Sequence, residues 1–358
     1  MTQPPFSASY AQARQHFRAA AAERGLAVET HRLPLPGADG EELATDVVLD
    51  GAADAPLLVL TTSAVHGVEG YAGSAIQTGL LRQLHGTADV ALLHVHAVNP
   101  HGFSHGRRAS QENVDLNRNF IDFGQPLPAN PGYAAIGALL LPPQWPPSPE
   151  VESQLAAFRD REGARGWQAA VSQGQYDDAL GLYFGGHAPT WSNGVFRGVL
   201  RQHVRGCRHL SWIDLHTGLG PRGVGERIFS SFDSGGALDR ARAWWGPQVT
   251  SVDAGTSNSI PLSGPIQRSL ADECPGLANT NVTLEFGTVP LAEMFEAVRA
   301  DHWRHRHPLA AAANPALAAA IRARLRAAFY PDGDDWRHDV WQQGLLVAQQ
   351  AVQGLRSL

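Results

Sequence analysis

"APLLVLTTSAVHGVEGYAG" (residues 55–73) passes from a continuous apolar run into a cluster of glycine, histidine and glutamate. The run over 55–63 predicts a strand buried on both faces, because a half-exposed strand would alternate apolar and polar positions. Gly67 allows a sharp turn at the strand's end, and residues 69–85 then show helical spacing. His66 therefore sits on the turn and Glu69 on the first helical turn, and both can face one point beyond the sheet. A buried strand leading into a helix is the unit of an α/β fold. Such folds collect their chemistry beyond the carboxyl ends of the strands.

The same unit recurs outward from this stretch. "VALLHVHAV" (90–98) is a second buried strand, and "HLSWIDLHT" (209–217), "RIFSSF" (227–232) and "NVTLEF" (281–286) read as further strands. "LAVETHRLPL" and "ELATDVVL" read as strands around the turn "GADG". A helix is predicted over about 8–24, and another from near Ser148 after the Pro-rich "LPPQWPPSP". Helices are predicted over 290–304, 314–326 and 335–355, the last two in a helical C-terminal tail over about 310–358. Strands alternating with helices imply an α/β fold with a mostly parallel or mixed sheet covered on both faces. No internal repeat or linker interrupts the chain, so one domain over 1–358 is expected.

Composition removes several function classes. Of the 358 residues, 43% are apolar and 17% charged, as in a soluble globular chain, and no stretch approaches a membrane span. A net charge of −6 argues against a nucleic-acid surface. The first 25 residues lack a basic region followed by an apolar one, and Cys207 and Cys274 lie outside any C-x-x-C, so a reducing cytoplasm is expected. There is no lysine, which excludes Schiff-base chemistry and a P-loop. The absence of G-x-S-x-G argues against a serine hydrolase of the α/β type.

His66 and Glu69 form H-x-x-E, a weak signal alone: the histidines and glutamates of this chain make about 0.6 such pairs by chance. Their place at a strand end says more. A phosphate-binding loop is the rival reading, since Gly67, Gly70 and Gly73 precede a helix. The G-x-G-x-x-G order is missing, however, and Glu69 would repel a phosphate. Catalytic zinc takes three protein ligands and leaves one position open, and two histidines with one glutamate are an established set. "SWIDLHTGLG" offers His216 at another strand end, although a core or surface histidine is the alternative. Glu285 stands inside an apolar strand, where a carboxylate is costly unless it has a task as a base or a buried arginine partner. "GRRASQENVDLNRNF" (106–120) concentrates Arg107, Arg108, Asp115, Asn117 and Arg118. Its arginines could grip a carboxylate or stabilise an oxyanion, or the segment could be a solvated loop with helix-capping Asp and Asn.

Together these pieces resemble the zinc carboxypeptidase (funnelin) family, over roughly residues 40–305. The order is H-x-x-E after a strand, "VDLNRNF" after "NPHGF", a histidine after a strand, and a glutamate in a late strand. His216 follows Glu69 by 147 residues and Glu285 follows His216 by 69, intervals that suit the family. The variant "QGQYDDALGLYFGGHAPTWSN" (173–193) looks like a bacterial branch known as a domain of unknown function. The resemblance implies one α/β domain with a mixed, about eight-stranded sheet. It implies one zinc per chain on His66, Glu69 and His216, with Glu285 as general base and Arg108 polarising the scissile carbonyl. Asn117 and Arg118 would hold the substrate's carboxylate, and Asp115 would orient His66 through its second ring nitrogen. One departure stands out. The family's mobile tyrosine, some twenty residues before the base, has no counterpart in "VDAGTSNSIPLSGPIQRSLADE". Tyr176 and Tyr183 are candidates to fill the cleft instead, with packing as the alternative for each.

The function expected from these residues is zinc-dependent hydrolysis of an amide bond beside a free carboxylate, on a small peptide or an N-acyl amino acid. A C-terminal peptidase and a deacylase both release a product with a carboxylate, so Arg118 suits either. A non-catalytic binding protein on the same fold is the reading from another class. Such a protein would be expected to lack the base or a ligand, and all are present.

Overall fold

The computed structural model describes residues 3–204, 206–232 and 236–358. Nine strands form its sheet: β1 (Glu29–Pro36), β2 (Glu42–Asp50), β3 (Leu57–Thr62), β4 (Val90–His96), β5 (His209–Arg222), β6 (Gly225–Phe229), β7 (Thr250–Ser251), β8 (Ala278–Asn279) and β9 (Val282–Gly287). Their order is β1-β2-β4-β3-β5-β9-β6-β7, with the short β8 paired to β5. The central strands β4, β3, β5 and β9 run parallel. The antiparallel pairs β1·β2, β2·β4 and β6·β9 flank them, so the sheet is mixed, as expected. Every residue of β3 and β4 is buried, which is why both read as unbroken apolar runs.

Side-chain alternation divides the strands between two cores. Val59, Leu92, Ile213, Leu215, Leu284 and Phe286 point to one face. Helices Gly70–Gln83 and Asp334–Arg356 cover it with Ile76, Leu80, Trp336, Val340 and Trp341. Leu58, Leu60, Leu93, Val95, Leu210 and Trp212 point to the other face, beneath Phe196 and Leu200 of helix Trp191–His203 and Leu270 of helix Arg268–Glu273. By the same alternation, His216 shares the face of Trp212, and Glu285 lies opposite in pleat to Leu284 and Phe286. A third core joins helices Pro131–Leu140, Pro149–Ser172, Leu291–Arg306 and Pro315–Phe329 through Leu140, Leu155, Val171, Met294, Trp303 and Leu325. It walls one side of the space beyond the strand ends.

The N-terminal helix spans Tyr10–Glu23 and starts at Ser9, whose hydroxyl accepts from the Gln12 amide. The C-terminal helices are no tail. Trp336 and Trp341 are fully buried, and Trp245 Nε1 donates to the Val347 carbonyl. The polar segment after β4 is also more ordered than a loop. It holds a short helix, Pro100–Ser104, capped by Asn99, and a 3-10 turn, Leu116–Arg118, capped by Asp115. Helices Pro131–Leu140, Trp191–His203 and Ala237–Trp245 were not anticipated, although Asn130 and Thr190 are typical helix-starting residues. Among the described residues no helix is long and apolar enough to cross a membrane.

Candidate active site

The chain leaves β3 through Ala64, whose φ of 55° reverses its direction, and enters a 3-10 turn at Gly67–Glu69. Gly67 packs directly on backbone, since a Cβ there would lie 2.0 Å from the Gly102 carbonyl carbon. The Gly67 and Val68 amides donate to the Arg108 and Arg107 carbonyls, so the turn is tied to the polar segment. His66 and Glu69 are thereby aimed at β5, where His216 stands two residues beyond the last one paired with β3. The ligand atoms of His66, Glu69 and His216 lie within 4.8 Å of one another, and all three residues are buried. His66 Nδ1 is 2.9 Å from Glu69 Oε1, and His216 Nδ1 is 2.8 Å from Glu69 Oε2.

The outer ring nitrogens meet separate carboxylates. His66 Nε2 is 3.1 Å from Asp115 Oδ1, and His216 Nε2 is 2.9 Å from Asp214 Oδ2. Asp214 is itself held by Thr62 Oγ1 and Gln267 Nε2, which donate to it. Each imidazole thus lies between two carboxylates. A neutral imidazole has one N–H, so one contact on each ring would set a lone pair against negative charge. A cation taking both Nδ1 atoms and a Glu69 oxygen would remove that conflict at His216 and leave its Nε2–H to donate to Asp214. The donor set therefore fits zinc.

Burial opposes ionisation of Glu69, but His66 and His216 outweigh it and hold the carboxyl well below its usual range. Burial likewise works against protonation of His216, and Asp214 and Glu69 more than reverse it. Glu285 behaves oppositely: burial first, and the Glu69 charge second, push it up to about 8. Its Oε1 accepts from the Leu219 amide at 3.0 Å, and no arginine partners it among the described residues. The buried-ion-pair reading of Glu285 is thus not what the structure contains.

Arg108 spans the group. Its Nε donates to Asp115 Oδ2 and its Nη1 to Glu69 Oε1, each at 3.0 Å, while Nη2 lies 2.8 Å from His66 Nε2. Arg118 is turned by the backbone: Nε and Nη2 donate to the Ser172 carbonyl, and Nη1 to that of Asn117. Three of its five N–H groups are so used, leaving one on each terminal nitrogen, a pair able to grip a carboxylate. Asn117 Oδ1 accepts from the Ile266 amide at 2.9 Å. All of these except Asp115 and Asp214 line a cleft of about 850 Å³, whose apolar wall includes Leu155, Trp167, Leu219, Met294, Phe295 and Phe329. Arg107 does not line it; it is buried in an ion pair with Asp301.

Residues 6–343 match a family described as "Protein of unknown function (DUF2817)". The chain belongs to the DUF2817 family. Three similar solved structures show how far the likeness extends. Carboxypeptidase A from Helicoverpa armigera is 14% identical, with 90% of this chain and 74% of that one covered and a TM-score of 0.47. A succinylglutamate desuccinylase/aspartoacylase from Rhodobacter sphaeroides is 13% identical, covering 78% and 65%, with a TM-score of 0.37. Bovine thrombin-activatable fibrinolysis inhibitor, in complex with a tick carboxypeptidase inhibitor, is 10% identical, covering 89% and 95%, with a TM-score of 0.41. No curated protein matches by sequence.

The DUF2817 match extends at both ends past the 40–305 expected from the family resemblance, and it reaches into the last helix as far as Gln343. Sequence reasoning missed one residue of this DUF2817 site, Asp214, although its signal was present: in "DLH" it is two residues before His216, hence on the same face of the strand. Of the two candidate tyrosines, Tyr183 lines the cleft, whereas Tyr176 is buried behind it, donating from Oη to the Arg118 carbonyl. For Tyr176 the packing alternative holds.

Proposed function

We propose that this DUF2817 protein is a zinc-dependent hydrolase that cleaves an amide bond next to a free carboxylate, in the manner of a metallocarboxypeptidase. The observation that carries this is the convergence of His66, Glu69 and His216 on one point, with Glu285 beside them and without a cationic partner among the described residues. His66, Glu69 and His216 would hold the ion. Zinc bound there supplies a water of lowered pKa and Lewis-acid polarisation of a carbonyl.

The remaining work falls to the chain. Glu285, buried and raised, is poised to take a proton from the attacking water at a carboxylate oxygen and deliver it to the leaving amine. Asp115 and Asp214 keep the imidazoles oriented from behind. Arg108 is the candidate donor to the developing oxyanion, with Asn117 and Arg118 anchoring the carboxylate end of the substrate. The apolar wall of the cleft lowers the dielectric around these charges.

The test is metal analysis of the purified protein, followed by hydrolysis assays on matched peptides, N-acyl amino acids and their C-terminal amides. Stoichiometric zinc with cleavage of the acids is expected. Cleavage of N-acyl amino acids but not peptides would make the enzyme a deacylase. Absence of both zinc uptake and hydrolysis would overturn the proposal.

A further inference from the structure

Tyr183 holds a backbone conformation that the chemistry above does not call on. Its φ is 51°, in the left-handed region, which is costly for a bulky aromatic residue. Its neighbours impose it from both sides. The Leu182 amide donates to Tyr133 Oη, and Asn113 Nδ2 to the Gly181 carbonyl. The Gln175 amide donates to the Tyr183 carbonyl, and the Asp115 amide to that of Phe184. A loop tied this heavily can keep one residue strained, and such strain is retained where a side chain must be aimed.

The aim is specific. The buried ring lies at the cleft with Arg108 Cζ 5.3 Å and Arg118 Cζ 5.5 Å from its centroid. Both guanidiniums are within cation–π range of the same ring. Asp115 links the two guanidiniums, 3.0 Å from Arg108 Nε and 3.8 Å from Arg118 Nη1. The Tyr183 ring is thus an apolar contact shared by the arginine beside the metal ligands and the arginine held by Ser172 and Asn117.

Resting on the function proposed above, we infer that Tyr183 is a positioning residue that sets the Arg108–Arg118 spacing, and so selects substrates by the distance between free carboxylate and scissile carbonyl. One separation is accepted, and a homologue with one more methylene between amide nitrogen and carboxylate is rejected. The ring does this, not the hydroxyl.

The experiment measures kcat/KM of zinc-loaded, full-length protein on N-acyl α-amino acids, their β-homologues and their amides. Wild type is compared with Tyr183→Phe, Tyr183→Leu and Tyr183→Asn. Asparagine tolerates the left-handed backbone, so it removes the ring without adding strain. Zinc content and melting temperature are read on every sample. Wild type and Tyr183→Phe should favour one spacing at least tenfold. The Leu and Asn variants should lose most of that ratio through KM, with zinc retained. A wild type indifferent to acid and amide overturns the functional reading and this proposal with it. Three results overturn only the role of Tyr183. They are acid preference with equal use of both spacings, an unchanged ratio in the Leu or Asn variant, and loss of the ratio in Tyr183→Phe.

Discussion

His216 and Glu285 are register partners: on the parallel strands β5 and β9 their Cα positions lie directly across from each other. Adjacent strands are about 4.8 Å apart, so the two side chains rise from one row of the same sheet face. A candidate metal ligand and a candidate base, 69 residues apart in the chain, are thereby coupled by the backbone ladder. Little side-chain freedom is needed to bring a base to a metal water in this arrangement.

Glu285→Gln should leave zinc bound and remove most of the turnover. The amide keeps the shape and can still accept from the Leu219 amide, but it cannot take the proton. Loss of a general base costs about 10² to 10⁴ in rate. The measurement is kcat with zinc content on the same sample. A rate within threefold of wild type at full occupancy would assign the base elsewhere.

Metal retention should follow the geometry in two grades. His66→Ala and His216→Ala remove ligands and should abolish stoichiometric zinc. Asp214→Asn leaves the ligands but weakens the hold on His216 Nε2, and loss of such support lowers metal affinity about 10- to 100-fold. Competition against a chromogenic chelator separates these grades. Unchanged affinity in Asp214→Asn would mean that Glu69 and the strand orient His216 unaided.

Arg118→Ala should erase the preference for a free carboxylate over its amide. Removing one partner of a buried charged pair costs roughly 2–5 kcal/mol. Arg118→Lys should not restore it, because the two open N–H groups of Arg118 belong to a planar fork that an ammonium lacks. The readout is kcat/KM on acid and amide. Discrimination that survives both substitutions would move the anchor to another group, and buried Arg107 with its Asp301 partner is a poor substitute.

The metal-free protein should lose stability as pH rises, through Glu285. Its carboxyl is raised from 4.5 to about 8, so the folded state binds the proton more tightly than the unfolded chain. That contribution is full below about pH 4.5 and disappears as pH rises through about 8. Melting temperatures of metal-free wild type should therefore fall relative to Glu285→Gln between pH 5 and 8.5. Parallel curves would show that Glu285 titrates at its ordinary value.

Asn119, the second asparagine of "NRNF", should prove structural. Its Nδ2 donates to the Gly185 and Ala188 carbonyls, and its Oδ1 accepts from the Thr190 amide and Asn193 Nδ2. Asn119→Ala strands several buried groups, at about 1–3 kcal/mol each. Denaturant unfolding should reveal the loss while zinc content stays near wild type. An unchanged midpoint would mean that water replaces the amide.

Much of this was legible residue by residue. The unbroken apolar runs of β3 and β4 announce strands buried on both faces, because burial acts on each position separately. His66 and Glu69 could be placed together because four residues and one turn join them. Local spacing also marked the N-terminal helix and the last helices. The burial of Trp336 and Trp341 against the sheet was beyond it, since which surface a helix covers depends on partners far along the chain.

The remaining relationships are non-local. The alignment of His216 with Glu285 comes from a hydrogen-bond ladder between distant strands, and no local pattern encodes register. The service of Asp214 to His216 became visible once the pleat put both on one face beside Gln267. Tyr183 reads as one of two candidates to fill the cleft; its left-handed backbone is imposed by hydrogen bonds to three other stretches, at Tyr133, Asn113–Asp115 and Gln175, and no local pattern puts two guanidiniums on its ring. Candidate residues and the kind of fold that carries them were readable from local pattern. Their distances were set by strand pairing and loop strain, because these depend on contacts that form only when the whole chain is folded.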